Sequence, residues 1–107
     1  MLNDRELDVL NILWRSQVPM TGTDIVSEMK GLTQSTVISV LRRLHNEELV
    51  EICGVTYCGK VLSRTYRPTE KSKSVLLDDF INLYKMFSAV VPAEELAQKI
   101  LELKKEV

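Results

Sequence analysis

Residues 33–49 have the sequence TQSTVISVLRRLHNEEL, and the fold of the whole chain is inferred outward from this stretch. After Thr33 the apolar residues recur with the spacing of one side of an amphipathic helix. These apolar residues are Val37, Val40, Leu41 and Leu44. The other side carries small polar and basic residues. The pattern predicts a helix that begins after Thr33, extends to about Asn46 and exposes a polar, basic side.

A first helix is predicted from Asp4 to about Ser16. Asn3 is a suitable N-cap for it, and Glu6 lies three residues later, as a capping box requires. Pro19 then ends the segment, because proline disrupts a helix interior. The expected apolar stripe of this helix consists of Leu7, Leu10, Leu13 and Trp14.

A short second helix is predicted from about Gly22 to Lys30. Thr21 or Thr23 is expected to cap its N-terminus, and Gly31 stands where a glycine commonly ends a helix. The residues expected to face inward are Ile25, Val26 and Met29.

After Leu49 the apolar spacing changes from helical to nearer two, and β-branched and aromatic residues become frequent. The segments predicted to form the hairpin are residues 50–52, 55–57 and 64–67. Gly59 marks the expected turn, and Pro68 ends the second strand because proline cannot donate to a strand ladder. Three helices and a hairpin are the order of a winged helix-turn-helix. The expected fold is therefore mainly α with a small β-hairpin, and residues 1–70 form the predicted winged-helix domain.

The apolar spacing in residues 71–107 predicts two more helices, separated at Pro92. Two helices this short cannot bury all of their apolar residues on each other, so they need another surface. A second copy of the same segment is the simplest such surface, which makes this a predicted two-helix dimerisation region. The alternative is that the helices fold back on the N-terminal domain of a monomer. The residues expected at the dimer interface are Leu76, Phe80, Leu83, Tyr84, Phe87, Leu96, Ile100 and Leu103.

The charge of the chain is almost balanced, with 14 Lys and Arg against 15 Asp and Glu and a net charge of −1. This balance excludes a strongly basic nucleic-acid binder and leaves a modest basic patch within residues 33–67. No segment has the length of apolar sequence needed to cross a membrane, and the N-terminus lacks the features of a signal peptide. A cytoplasmic location without a membrane partner is therefore expected.

Neither an enzyme nor a cofactor is expected. The chain has a single histidine, His45, and lacks a phosphate-binding glycine loop. The adjacent glutamates at 47–48 and 94–95 resemble solvated helix faces rather than catalytic pairs. Metal sites usually need three or four ligands, so no metal site is predicted either.

A helix that enters the major groove needs short polar side chains near its N-terminus and basic residues nearby for phosphates. The candidates for base contacts are Gln34, Ser35, Thr36 and Ser39. The candidates for phosphate contacts are Arg42 and Arg43 on the same helix and Lys60 and Arg64 on the hairpin. The alternative is that Ser35 and Thr36 only cap the helix and the arginines only contact solvent. The combination on one side of the helix favours double-stranded DNA as the partner.

Several short segments of residues 3–70 resemble the penicillinase and methicillin-resistance repressors and their copper-responsive relatives. The resembling segments are Thr36-Val37, Leu41, Arg43-Leu44, Leu49-Val50 and Tyr66-Arg67-Pro68, with Glu6, Val9-Leu10 and Leu13-Trp14 in the first helix. The resemblance implies a homodimeric winged-helix repressor with intertwined C-terminal helices, bound to an inverted-repeat operator that often contains TACA and TGTA half-sites. It also implies that Ser35, Thr36, Ser39 and Arg43 occupy DNA-facing positions.

The chain departs from this family in three respects. The family usually has glycine where this chain has Glu48, so Asn46 is expected to take the left-handed turn instead. The hairpin is longer than usual. The tail contains Asn82-Leu83 and Met86-Phe87 but neither the Asn-Phe bond cut in β-lactam-responsive members nor the Cys-x-Cys pairs of copper-responsive ones. The inducing signal is therefore open.

Cys53 and Cys58 both fall in the enlarged hairpin. If facing strands bring them together, or close to those of a second subunit, a soft metal or an oxidant would alter the hairpin and release DNA. The alternative is that they are two small, weakly polar hairpin residues. Two other functions also remain open, namely a winged-helix module that binds protein through the third helix and an antirepressor without independent DNA binding.

Overall fold

The computed structural model describes residues 1–106, and the predicted order of elements is confirmed. The elements are α1 (Asp4–Arg15), α2 (Gly22–Glu28), α3 (Gln34–Asn46), β1 (Val50–Cys58), β2 (Val61–Pro68), α4 (Glu70–Phe87) and α5 (Ala93–Glu106). The chain divides into two compact units, and the division falls within α4, after Leu76. Val107, the last residue of the predicted dimerisation region, lies outside the described residues.

The three helices of the first unit begin at side-chain caps, as the sequence indicates. Asn3 and Glu6 form the expected capping box of α1. Thr21, rather than Thr23, caps α2 and forms a second capping box with Asp24. Thr33 caps α3, since its hydroxyl oxygen accepts a hydrogen bond from the Thr36 amide at 3.2 Å. These caps satisfy amide groups that have no partner within the helix.

The core lies between α1, α2, α3 and the base of the hairpin. Its apolar residues are Leu2, Val9, Leu10, Ile12, Leu13, Met20, Ile25, Leu32, Val37, Val40, Leu41, Leu44, Leu49 and Val50. The predicted stripe of α1 is therefore partly wrong, because Leu7 and Trp14 are each 38% exposed whereas Val9 and Ile12 are buried. The buried face is centred on Val9 and Leu13, so Leu7 and Trp14 lie on its flank.

The turn after α3 is made by Glu48 and not by Asn46, so that expectation is wrong. Asn46 remains in α3, and Glu48 has a φ of 63°. The Leu49 amide donates to the Leu44 carbonyl at 2.8 Å, and the Glu48 amide donates to the His45 carbonyl at 3.0 Å. These two bonds form a Schellman motif, in which the residue after the helix must be left-handed.

The hairpin is antiparallel and longer than the predicted strand segments. Its register runs from Val50 opposite Pro68 to Cys58 opposite Val61, and Gly59, with a φ of 66°, lies in the predicted turn. A bulge at Cys53 shifts the register. The backbone groups of Met20 and Tyr66 exchange two hydrogen bonds, at 2.8 and 3.0 Å, which attach β2 to the segment before α2. The hairpin is the wing of the winged helix.

The start of α4 is attached to the rest of the first unit through fully buried Ser72. The Ser72 hydroxyl donates to the Thr69 carbonyl at 2.6 Å and accepts from the Trp14 indole N–H at 3.0 Å. The Thr69 hydroxyl in turn donates to the Glu48 carbonyl at 2.7 Å. Val75 and Leu76 are partly buried against the core. These contacts explain why the first unit extends past residue 70 into α4.

The second unit contains the rest of α4 and the described part of α5. The Tyr84 hydroxyl donates to the Val91 carbonyl at 2.9 Å and so attaches the end of α4 to the turn before α5. Most apolar side chains of this unit are exposed, namely those of Leu77, Phe80, Ile81, Leu83, Met86, Phe87, Val90, Ile100, Leu101 and Leu103. None of the helices in residues 1–106 combines the length and apolar character that a membrane span requires.

Candidate nucleic-acid interface

The face of α3 opposite the core carries the predicted DNA-contacting side chains. Val37, Val40, Leu41 and Leu44 are buried, as expected. On the opposite face, Thr36 is half-buried, and the exposed residues are Gln34, Ser35, Ser39, Arg42 and Arg43. The helical period therefore separates a core face from a polar, basic face, as the sequence indicates.

The capping geometry separates the role of Thr33 from those of Ser35 and Thr36. Thr33 alone accepts the capping hydrogen bond, and its hydroxyl donates to the Thr36 hydroxyl at 2.9 Å. The Ser35 hydroxyl lies 3.4 Å from that of Thr33 and points to no other described partner. Ser35 is therefore not the cap of α3, and its exposed hydroxyl is available to a ligand.

One side of the polar face borders a groove of about 680 Å³ between the N-terminus of α1 and α3, here called the α1–α3 groove. Its lining residues are Asn3, Asp4, Arg5, Ser35, Thr36, Ser39, Val40 and Arg43. Four of the predicted contact residues thus line one concave surface. Asn3, Asp4 and Arg5 were not predicted as site residues, because only the tertiary packing of α1 on α3 brings them there.

The other side of the polar face borders a groove of about 290 Å³ between α3, the start of α2 and the wing, here called the α3–wing groove. Gln34 and Arg64 line it together with the apolar side chains of Ile38 and Leu62. The Gln34 side-chain amide donates to the Thr23 hydroxyl at 3.5 Å. Gln34 is therefore oriented towards α2, and a base contact would require this weak bond to open.

Lys60 and Arg42 line neither groove. Lys60 is exposed at the wing tip, next to Gly59 in the turn. Arg42 is exposed on α3, one turn after Ile38 and Ser39, and so belongs to the ridge between the two grooves. The structure thus distributes the predicted residues over a ridge, two grooves and a wing tip.

The four predicted phosphate-binding cations are unpaired in the part of the chain that is described. Arg42, Arg43, Lys60 and Arg64 form no ion pair there, whereas other cations do. Arg67, for example, binds Glu51 across the hairpin, and the hydrogen bond and charge of Glu51 raise the pKa of Arg67. Unpaired guanidinium groups on α3 and on the wing, and the unpaired ammonium group at the wing tip, favour an anionic ligand.

The two cysteines lie on the same strand, so the expectation that facing strands bring them together is wrong. Cys53 is exposed at the bulge of β1, and Cys58 lies at the end of that strand. Five residues of extended strand separate their Cα atoms by roughly 16 Å, which is too far for a disulfide within one chain. The Cys58 thiol instead donates to the hydroxyl of Thr21, the cap of α2, at 3.5 Å. Among the described residues, no group of three His, Cys, Asp or Glu is placed to hold a metal ion.

Among protein families, one family model matches almost the whole length of the chain. The family model of the penicillinase repressors matches residues 2–105. The chain belongs to the penicillinase repressor family. It is thus a member of a family of DNA-binding transcriptional regulators, as the resemblance of residues 3–70 implied. No curated protein sequence is detectably similar to it.

Solved structures confirm the winged-helix fold. RosR from H. salinarum is 19% identical with a TM-score of 0.63, and the match covers 98% of this chain and 94% of RosR. A mutant of MepR from a multidrug-resistant S. aureus clinical isolate is 21% identical with a TM-score of 0.61, covering 98% of this chain and 76% of MepR. PadR from Bacillus subtilis, solved with operator DNA, is 18% identical with a TM-score of 0.58, and the match covers 94% of this chain and 70% of PadR.

Proposed function

We propose that this penicillinase-repressor family member is a transcriptional repressor that binds a palindromic operator as a homodimer in the cytoplasm. In each half-site, α3 lies in the major groove. The observation that carries the proposal is the exposed face of α3, which combines short polar side chains with unpaired arginines. Such a face lets the backbone approach base edges while cations neutralise phosphates. The operator complex of PadR supports the same class of ligand.

The roles proposed for individual residues follow from their positions. Ser35, Thr36 and Ser39 are short and lie towards the N-terminal half of α3, so we assign them to base edges. Gln34 joins them when it leaves Thr23. The proposed phosphate contacts are Arg42, Arg43, Lys60 and Arg64.

The proposed homodimer rests on the exposed apolar side chains of the second unit. Phe80, Leu83 and Phe87 on α4 and Ile100 and Leu103 on α5 are all exposed within one chain. So many exposed apolar side chains in one short segment usually mark an interface, and a second copy buries identical surfaces. Tyr84, Leu96 and Leu76 are half-buried, and Leu76 packs on the winged-helix core.

The near-neutral charge of the chain fits a protein whose affinity depends on two linked half-site contacts. With a net charge of −1, general attraction to DNA is weak. Joining two winged helices makes binding of the second half-site intramolecular, which raises the overall affinity without new contacts. Specific readout by α3 and dimerisation therefore support each other in this proposal.

A second candidate is a winged-helix module that binds a protein through α3. The observation in its favour is the apolar side of the α3–wing groove, where Ile38 is 46% exposed and Leu62 is 58% exposed. Protein-binding surfaces tend to be depleted of charge at their centre. Arg42, exposed at the centre of the α3 face, argues against this function.

The deciding experiment is selection of bound sequences from a random duplex library, with the mass of the complex determined in parallel. We expect enrichment of an inverted repeat bound by two chains. Absence of any enriched sequence, together with a protein that does not bind DNA even at low salt, would contradict the repressor and favour the protein-binding module. Enrichment of a single half-site by one chain would contradict the homodimer.

A further inference from the structure

The α1–α3 groove has cations on both of its walls. Arg5 lines it from α1 and Arg43 lines it from α3. Ser35, Thr36 and Ser39, whose hydroxyls are hydrogen-bond donors, line the same groove. Asp4 is the single carboxylate among the lining residues, so the arginines outnumber the acids. The chemistry of the groove therefore suits a chain of phosphate groups.

Arg5 forms an ion pair whose carboxylate a phosphate can replace. Its guanidinium binds the Asp8 carboxylate at 3.1 Å, three residues later on α1, and both side chains are partly exposed. Exposed pairs of this kind contribute little stability. Arginine binds phosphate through paired, charge-assisted hydrogen bonds. These bonds are stronger than the exposed ion pair with Asp8 that Arg5 gives up.

We infer that the α1–α3 groove binds one strand of the DNA backbone and that Arg5, from the first turn of α1, contacts a phosphate at the flank of the half-site. The inference rests on the proposed repressor function and extends it, because it adds a contact outside α3 and the wing. Asp8 holds Arg5 in the free protein and competes with the phosphate. Arg5 thereby fixes the angle at which the winged helix sits on the duplex without reading its sequence.

The test compares Arg5→Ala with Arg15→Ala, since Arg15 is an exposed cation at the other end of α1. Electrophoretic mobility shifts with the selected operator and with scrambled duplexes are measured between about 0.05 and about 0.3 M salt, a range that brackets the ionic strength of about 0.1 M at which the Debye length is about 10 Å. Arg5→Ala is expected to weaken both complexes by about fivefold per subunit near 0.15 M salt and to reduce the salt slope by about one per subunit. Arg15→Ala is expected to change neither.

Asp8→Asn provides the opposite signal, which a folding defect cannot produce. It releases Arg5 and is expected to tighten binding by about twofold to fivefold. In the double variant Arg5→Ala/Asp8→Asn most of this gain is expected to disappear. If the wild-type chain binds its operator but Arg5→Ala behaves like Arg15→Ala, or if the Asp8→Asn gain persists without Arg5, the inference is wrong. A wild-type chain that binds no DNA contradicts the proposed function itself.

Discussion

Glu48 has a backbone conformation that is unfavourable for a residue with a side chain. It follows α3 at the left-handed position of the Schellman motif, where glycine has no steric penalty. For an L-residue with a Cβ, that conformation costs roughly 1–2 kcal/mol of conformational free energy. The exposed contact of its carboxylate with Lys71, at 3.5 Å, returns little of this. The turn into the wing is therefore retained by the motif around it and not by Glu48.

Replacing Glu48 with glycine is expected to stabilise the chain. The left-handed strain disappears, while glycine adds entropy to the unfolded chain, so the net gain in the free energy of unfolding is about 0.5–1 kcal/mol. Urea unfolding followed by circular dichroism measures it. Glu48→Gln keeps the strain and removes only the ion pair, so it serves as the control. Equal stabilities of the two variants would show that Glu48 is not strained.

The position of this turn was not predictable from the residue types alone. Asparagine tolerates the left-handed region better than glutamate, which is why Asn46 was expected to adopt it. The structure shows that the length of α3 decides the matter, because Leu44 and Leu49 must both enter the core. With those two residues buried, the left-handed position falls on Glu48 whatever its side chain.

Ser39 tests whether α3 reads sequence. If its hydroxyl contacts a base edge, Ser39→Ala lowers discrimination at one base-pair position by roughly 1–3 kcal/mol, while affinity for random duplexes changes little. Arg43→Ala, by contrast, is expected to weaken binding to all duplexes and to lower the salt slope by about one per subunit. Titration of both variants against a set of single-base operator variants distinguishes the two roles. Equal losses on operator and random DNA for Ser39→Ala would refute base reading.

At the scale of elements, the helix caps could be predicted from the sequence. The residues that α1 buries could be predicted only in part. The capping box of Asn3 and Glu6 uses only local sequence, and it appears where predicted. The buried face of α1 depends on the elements that pack on it, so Val9 and Ile12 replaced Leu7 and Trp14. The enlarged wing follows from the sequence spacing between Leu49 and Pro68, whereas its bulge at Cys53 and both grooves have no signal in the periodicity.

The short helix α2 is expected to depend on its cap. Thr21 is buried, and its hydroxyl oxygen accepts from the Asp24 amide at 3.1 Å. Thr21→Ala removes that bond and is expected to lower the free energy of unfolding by about 1 kcal/mol. Thr21→Ser retains the hydroxyl and is the matched control, with a smaller expected loss. Denaturant unfolding measures both, and identical losses would mean that the methyl group matters more than the cap.

At the scale of the whole molecule, dimerisation is the property on which the proposed affinity depends. Leu83 is exposed on α4 within one chain. Leu83→Asp is expected to split the homodimer, because a buried unpaired carboxylate is costly, and to weaken operator binding through lost avidity. Sedimentation measures the mass. Val18→Asp changes a still more exposed apolar position in the first unit; it is the control and should remain dimeric. A dimeric Leu83→Asp variant would place the interface elsewhere.

The candidate interface was predictable in its centre and not at its margins. The polar residues of α3 follow from one helical period, and the structure places them on the face opposite the core, all exposed except half-buried Thr36. Arg5 lies outside that period, since it joins the α1–α3 groove only when α1 packs on α3. Sequence patterns within one element thus identify the residues of that element, whereas a groove between two elements requires the fold.

The hydrogen bond between Trp14 and Ser72 gives the protein an optical signal of its own. Trp14 is the single tryptophan of the chain, and its indole N–H is bound to the buried hydroxyl at the start of α4. The emission wavelength of an indole depends on how much water surrounds it, so release of α4 from α1 moves the fluorescence of this one residue to the red. Rapid-mixing fluorescence can therefore time the detachment of α4 in the unmodified protein, without an attached dye.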